Sequence, residues 1–348
     1  MTFHAVTASV GVREVNLRDD RECARIDAFV RERVGSPFHL SAWSRAVARG
    51  CGRRARYLVA ERGGGAIAGV LPLTEMRSRL FGRALVSAGF AVDGGILGDA
   101  VEALASGAWE LAERLNITEV ELRGGVVPAG WAVDDATYLG FARDMAGSDE
   151  AELLAIPRKQ RAEVRRALGH DLEIAIGRSE AALAEHYRAY GESVHNLGTP
   201  VFPRALFRAV VEMMDADVLT VLHEGEAVAS VLSLYAGDTV YPYWGGGTAR
   251  ARSLRANDRM YFALMAHARE RGCTRFDFGR SKAGTGAAAF KKNWGFDPVP
   301  LSYAKRSAGP ARTVNPLDPK YATKIALWKR LPLPLANAVG PWISRGLG

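Results

Sequence analysis

Hydrophobic positions along the chain follow two spacings. Period-two stretches predict strands at 12–18, 57–60, 66–73, 85–87, 94–97 and 118–123. Stretches at helical spacing predict helices at 21–33, from Ser41 through Trp43 and Val47, and at 102–115. Gly63-Gly64-Gly65 reads as a hairpin turn. The order then returns: strands at 218–222, 228–235 and 239–244, a helix at 256–271 and a strand at 274–278. The letters match as well. AIAGVLPL (66–73) lies over AVASVLSL (227–234), and ITEVELRG (117–124) over CTRFDFGR (273–280). Five matched elements indicate an internally duplicated β-β-β-α-β unit rather than two generic hairpins.

A different segment joins the halves. Asp149–Ala155 starts a helix, Pro157 interrupts it, and 158–170 restarts it. Arg158, Arg161 and Arg165 recur at i, i+3 and i+7 beside Lys159, which suits either a solvated face or a phosphate-binding one. A helix at 183–193 leads into a polar loop, HNLGTPVFP (195–203). Beyond Tyr303 the chain is punctuated by Pro310, Pro316, Pro319, Pro332, Pro334 and Pro341, with a short helix at 321–330 and an apolar stretch, LPLPLANAVGPWI (331–343). Such a tail either packs on the body, the preferred reading, or makes a peripheral membrane contact. The expected divisions are 1–147, 148–304 and 305–348.

Composition narrows the class. At 348 residues, with 48% hydrophobic and 24% charged positions, the chain suits two folded domains rather than a disordered one. The net charge of +8 favours anionic partners. Cys23, Cys51 and Cys273 are too sparse for a disulfide framework or a zinc site, so a reducing, cytoplasmic setting and no metal are expected. Neither a signal peptide nor a run of about 18 apolar residues is visible.

The chemistry concentrates in FDFGRSKAGTGAAAFKKNWGF (276–296). It reads as a strand, a glycine-rich loop and a helical turn. Arg280, Lys282, Lys291 and Lys292 bring cations together, as a phosphate, carboxylate or developing oxyanion requires. The same pattern also describes a solvated basic loop.

On these residues the chain resembles a duplicated GNAT (acetyltransferase-like) fold: α/β, with mixed sheets and flanking helices. IPRKQRAEVRRALGHDLEI, NDRMYFALMAHARERGCTRFDFGR and FKKNWGF resemble motifs of the FemABX-like family, which moves amino acids from aminoacyl-tRNA to cell-wall precursors. NLGTPVF and FDFGRSKAGTG are similar to FemAB-related proteins of PEP-CTERM/exosortase and exopolysaccharide loci. The resemblance spans Phe38 to Tyr303. It implies that Lys291, with Phe290, meets the acceptor end of the tRNA, and that Asp99 orients the acceptor. It also implies that Arg158, Lys159 and Arg161 lie near the acceptor's phosphates. Arg165, Tyr243, Trp244, Arg280, Lys282, Asn293 and Trp294 complete the candidate substrate contacts. Two departures stand out: Arg45 and Arg49 replace a lysine expected after Trp43, and Asp93-Gly94-Gly95 replaces Arg-Gly-Pro before Asp99. Both put the family's nucleotide-linked muropeptide acceptor in question.

The implied activity is amide formation on an envelope or exopolysaccharide precursor, in the cytoplasm or at the inner face of the membrane. The donor is aminoacyl-tRNA, or acyl-CoA in the rival reading, and no cofactor is tightly held. An inactive nucleotide-sugar- or RNA-binding relative is a further alternative. Asp99 is expected to accept a proton or to cap the following helix, and Tyr243 and Trp244 to be core aromatics before groove walls. His195 is expected as a loop hydrogen-bonder. Lys291→Ala is expected to cost turnover more than folding.

Overall fold

The computed structural model describes residues 10–78, 82–309 and 319–346. The first predicted strand narrows to β1 (Gly11–Glu14), because Asp19 accepts hydrogen bonds from the Arg21 and Glu22 amides and so starts α1 (Asp20–Glu32). After α2 (Ser41–Cys51), strands β2 (Ala55–Glu61), β3 (Ile67–Ser78) and β4 (Gly82–Ser87) form an antiparallel meander. Short β5 (Leu97–Gly98) lies against β3, and α3 (Val101–Arg114) carries the chain to β6 (Glu119–Arg123). The pattern did not predict β7 (Ala132–Asp134) or β8 (Tyr138–Asp144), whose alternation is too short or too irregular.

The linking segment supplies α4 (Asp149–Ala155), α5 (Arg158–Leu168), β9 (Glu173–Gly177), α6 (Glu180–Leu197) and α7 (Arg204–Met213). The second series is β10 (Ala216–His223), β11 (Glu226–Ala236), β12 (Thr239–Gly247), α8 (Ala256–Glu270) and β13 (Arg275–Lys282). There follow α9 (Gly286–Asn293), β14 (Pro298–Pro300), β15 (Tyr303–Ser307), α10 (Pro319–Arg330) and α11 (Leu333–Ser344). Three boundaries move from their predicted places. His195, Asn196 and Leu197 are the last turn of α6, not loop, and left-handed Gly198 ends the helix. β12 runs through all three glycines, because pairing with β11 continues to Gly247. β13 runs past Phe278, because Arg280, Ser281 and Lys282 pair with β8.

The two sheets repeat each other. The first has the order β1-β2-β3-β4-β6-β15-β7, and the second, read from its far edge, β9-β10-β11-β12-β13-β8-β14. In each, one parallel contact of two residue pairs joins the meander to the strand after the helix: Leu85 to Val120 and Val86 to Glu121 in the first, Thr239 to Arg275 and Val240 to Phe276 in the second. β8 and β15 are exchanged, each completing the sheet of the other half. By sheet membership, residues 138–144 go with the second unit and 303–307 with the first, across the divisions expected after 147 and 304. The halves also share apolar packing. The Trp43 ring stacks on Trp244 at 5.9 Å, and Phe38 meets Tyr243 at 4.9 Å.

The tail packs on α6 and the segment after it. His195 Nε2 lies 3.1 Å from the Trp328 carbonyl, Ser344 Oγ donates to the Val201 carbonyl at 2.9 Å, and Arg53 Nε donates to the Arg345 carbonyl at 2.8 Å. Pro310 and Pro316 lie outside the described residues.

Gly50 lets α2 and α7 touch. A Cβ there would meet the Leu206 Cα at 2.4 Å, a backbone atom that cannot swing aside. Alanine in a helix gains at most about 1 kcal/mol over glycine, whereas overpacking costs about 1–3 kcal/mol. Gly50→Ala is therefore expected to lower the urea midpoint. An unchanged or raised midpoint would show that the helices have room to separate.

Candidate active site

The site begins where β12 leaves β13. Past Val240 and Phe276 the strands no longer pair, so from Tyr241 to Gly247 one edge of β12 has no strand partner among the described residues. Pro242, which lacks an N–H, is tolerated on such an edge. Tyr243 is the extra residue of a bulge, since Leu232 pairs with Trp244 and Ser233 with Pro242. Its hydroxyl donates to the Phe90 carbonyl at 2.6 Å, while Trp244 enters the core. Gly246 is obligatory here, because a Cβ would stand 2.5 Å from the Ser193 Cβ of α6.

β13 bends on the opposite side of the gap. Asp277 Oδ1 accepts from the Gly279 N–H at 2.8 Å, and Gly279 takes φ +65°. The displaced carbonyls of Phe278, Gly279 and Arg280 all receive Lys291 Nζ from α9, at 2.6, 3.2 and 2.9 Å. Lys291 thus has a structural task that its motif did not disclose: it holds the bulge open. Between the two bent strands lies a cavity of about 500 Å³. Its walls are the β12 edge, the β13 bulge, Phe290 and Lys291 of α9, Ser193 and Asn196 of α6, and Tyr261 of α8. Phe38 and Val92 close it from the first unit.

Its charges are fixed. Burial pulls the Lys291 ammonium down to about 7, opposed by Asp277. Burial pushes the Asp277 carboxyl up, opposed by the Gly279 N–H and the Lys291 charge. Burial also works against Arg280, but the surrounding tyrosine hydroxyls hold its pKa above the ordinary value. Arg280 donates to Tyr303 Oη at 2.6 Å, and that hydroxyl donates to the Val92 carbonyl at 2.7 Å, so a cavity cation is anchored on the first unit.

The structure brings Lys291, Phe290, Arg280 and Tyr243 to this cavity and leaves other candidates outside it. Asp99 lies on the surface, 3.4 Å from both Arg33 and Arg62. It does not cap α3, whose N-cap position is Ala100. Arg158, Lys159 and Arg165 are exposed on α5, while Arg161 folds back onto the Leu154 and Ile156 carbonyls. Asn293 is exposed, and Trp294 is fully buried beside Phe290 and Tyr261. Lys282 Nζ sits 5.7 Å from the centre of the Tyr138 ring. Sequence reasoning missed Asp277, Tyr261 and Asn257. The alternation of FDFG carried a signal for Asp277, since burying Phe276 and Phe278 turns it to the other face. Asn257 Oδ1 is buried at the cavity wall without a hydrogen-bond partner among the described residues.

Two neighbouring places are closed. In the first unit the gap between β4 and β6 is filled by residues 88–96. Arg123 donates to Ser87 Oγ and to the Ala91 carbonyl, and Gly95 donates to the Arg123 carbonyl. In the second, most N–H groups of the turn after β12 are already bonded. The N–H groups of Thr248, Ala251, Ser253, Leu254 and Arg255 go to nearby carbonyls, and that of Ala249 to Glu192 Oε1 at 2.7 Å. Arg250 is paired with Glu224 and Arg255 with Glu163.

Residues 158–292 match the family described as Acetyltransferase (GNAT) domain. This stretch is an acyltransferase domain of GNAT type. A lipid II:glycine glycyltransferase of Staphylococcus saprophyticus is 34% identical over 79 residues, 21% of this chain and 19% of that protein. The chain thus spans about a fifth of the curated relatives it matches. Among solved structures, FemX superposes with a TM-score of 0.65 at 16% identity, covering 84% of this chain and 96% of that one. A tandem GNAT protein from the clavulanic acid biosynthesis pathway gives 0.56 at 14% identity, covering 87% and 100%. The fold is a tandem GNAT fold.

A lowered lysine pKa has a thermodynamic signature. Between pH 7 and the ordinary lysine value of 10.5, folded Lys291 has shed its proton while the unfolded chain retains it, so stability rises with pH across that window. The stability of the wild type relative to Lys291→Met, from urea unfolding at the two ends of the window, is expected to increase. A pH-independent difference would mean that the three carbonyls keep the ammonium charged.

Proposed function

We propose that the protein transfers an aminoacyl group from aminoacyl-tRNA to an amine on a cell-envelope or exopolysaccharide precursor, in the cytoplasm. The observation that carries this reading is the cavity at the strand divergence, where an unpaired strand edge faces a half-buried carboxyl and an anchored guanidinium. The amine nitrogen attacks the ester carbonyl carbon. A C–N bond forms, the carbonyl becomes an oxyanion, and expulsion of the ribose oxygen breaks the C–O bond. Unpaired N–H groups of β12 are placed to receive the oxyanion. Asp277 takes the proton from the attacking amine, and burial suits it to that work by raising its pKa. The ribose oxygen leaves with that proton, returned to it from Asp277. Arg280 offers its charge to a donor phosphate or acceptor carboxylate. Lys291 keeps the bulge in shape and adds its field.

The donor assignment rests on the turn after β12. A CoA pyrophosphate needs free backbone N–H groups there, and those of Thr248, Ala249, Ala251 and Ser253 are occupied. The glycyltransferase similarity and the FemX-like fold support an aminoacyl donor, and the sequence resemblance supports an exopolysaccharide or PEP-CTERM setting. The GNAT domain match keeps acyl-CoA as the alternative.

The test compares labelled aminoacyl-tRNAs with labelled acetyl-CoA, each with an envelope-precursor extract. Transfer from aminoacyl-tRNA is expected. Transfer only from the thioester would replace the donor, and ligand binding without transfer from either would leave a binding protein. Asp277→Asn keeps an acceptor for the Gly279 N–H but cannot take a proton. It is expected to fold normally, lose turnover by about 10²-fold or more and lose the acid limb of the pH profile. Unimpaired turnover would remove Asp277 from the chemistry.

A further inference from the structure

α11 is amphipathic in an unusual sense. Between Leu333 and Ser344 it carries no charged residue. Its inward stripe is small: Ala336, Gly340 and Ser344 recur every fourth residue and are buried. Gly340 lies against the Val201 backbone, where a Cβ would stand 3.1 Å from the amide nitrogen. The outward stripe is large and apolar. Leu335, Val339 and Trp342 recur at i, i+4 and i+7, and Leu335 and Trp342 are 49% and 69% exposed. Leu327 of α10 is 65% exposed. A helix packed on a water-soluble body ordinarily reverses this arrangement, turning bulky apolar groups inward and polar ones out.

The charges that this segment itself carries have one sign. From Pro319 to the end of the sequence there are five Lys and Arg residues and no Asp or Glu. Lys329 and Arg330 precede α11, and Arg345 follows it. Arg345 is bonded through its carbonyl to Arg53, and exposed Arg54 has no ion pair among the described residues. A second copy docked on this face would bring cation against cation. An apolar, tryptophan-bearing stripe bordered by cations instead matches the boundary between headgroups and acyl chains of an anionic bilayer.

We infer that the α10–α11 hairpin docks the protein on an anionic lipid surface. α11 itself and α6 together separate this face from the cavity by about two helix diameters, roughly 20 Å. Gly191 and Gly198 of α6 are approached by Asn337 and Ile325 of the hairpin, and its Ser193 and Asn196 line the cavity. Docking therefore holds the cavity within about two helix diameters of the lipid surface, in reach of an acceptor amine carried on a long lipid headgroup. That corollary rests on the transferase reading; the docking does not.

The full chain is mixed with phosphatidylcholine vesicles, with or without about 30% phosphatidylglycerol, and sedimented in about 0.1 M salt. Binding is expected to be at least about tenfold stronger with phosphatidylglycerol and to weaken in higher salt. The triple variant Leu335→Ser, Val339→Ser, Trp342→Ser is expected to lose about tenfold in binding, and Lys329→Glu with Arg330→Glu to lose the lipid preference. Both should keep the wild-type melting temperature, since the side chains are at least partly exposed. Equal partition onto both vesicles, or variants that bind like the wild type, would overturn the inference. So would a wild-type dimer that the triple variant dissolves, which would make a second copy the occupant. Failed transfer with vesicle binding intact would count against the transferase reading alone.

Discussion

The divergence of β12 from β13 after a single parallel contact is the constraint on which the site depends. A central strand that loses its neighbour leaves peptide groups unpaired, and buried unpaired groups are costly. On the β13 side the Lys291 Nζ gathers three carbonyls, and an aspartate turns the chain around Gly279. On the β12 side the edge stays open to the cavity, and the chain admits a proline and a bulge there. The asymmetry makes a cleft with one organised wall and one receptive wall.

The first unit shows what the same geometry becomes when a cleft is not kept. Its β4–β6 contact is equally brief, but residues 88–96 fold into the gap and satisfy its polar groups from within. Ala88 and Phe90 adopt positive φ to do so, a conformation that such residues avoid elsewhere. The filled gap then serves the other unit: Phe90 offers the carbonyl that fixes Tyr243, and Val92 the one that fixes Tyr303, on which Arg280 is anchored. Duplication has left one unit as the site and the other as its support.

Much of this was legible in the sequence. The matched letter strings reported the duplication, because inward positions of equivalent strands face equivalent layers. The signature around Lys291 located the cavity. Long-range pairing was not legible: β7, β8, β14 and β15 take their meaning from partners far along the chain, so no local period marks them. Asp277 was legible only through the alternation of FDFG, which sets it on the face opposite Phe276 and Phe278. Asp99 and the α5 cations were placed by motif, and the motif says nothing of the direction in which those side chains leave the surface.

The exchange of β8 and β15 sets an order on synthesis. Arg123 of β6 pairs with Tyr303, about 180 residues later, so the first sheet has an unfinished edge while the second half is being made. β8 emerges early but finds its partner β13 only after α8 has followed. Neither unit can close before most of the chain is available, which places late, high-separation contacts at the end of folding. An unfinished sheet edge is the kind of surface that pairs with other chains. The nascent protein is therefore most exposed to aggregation just before β15 leaves the ribosome, and the joined units gain their cohesion at the cost of that interval.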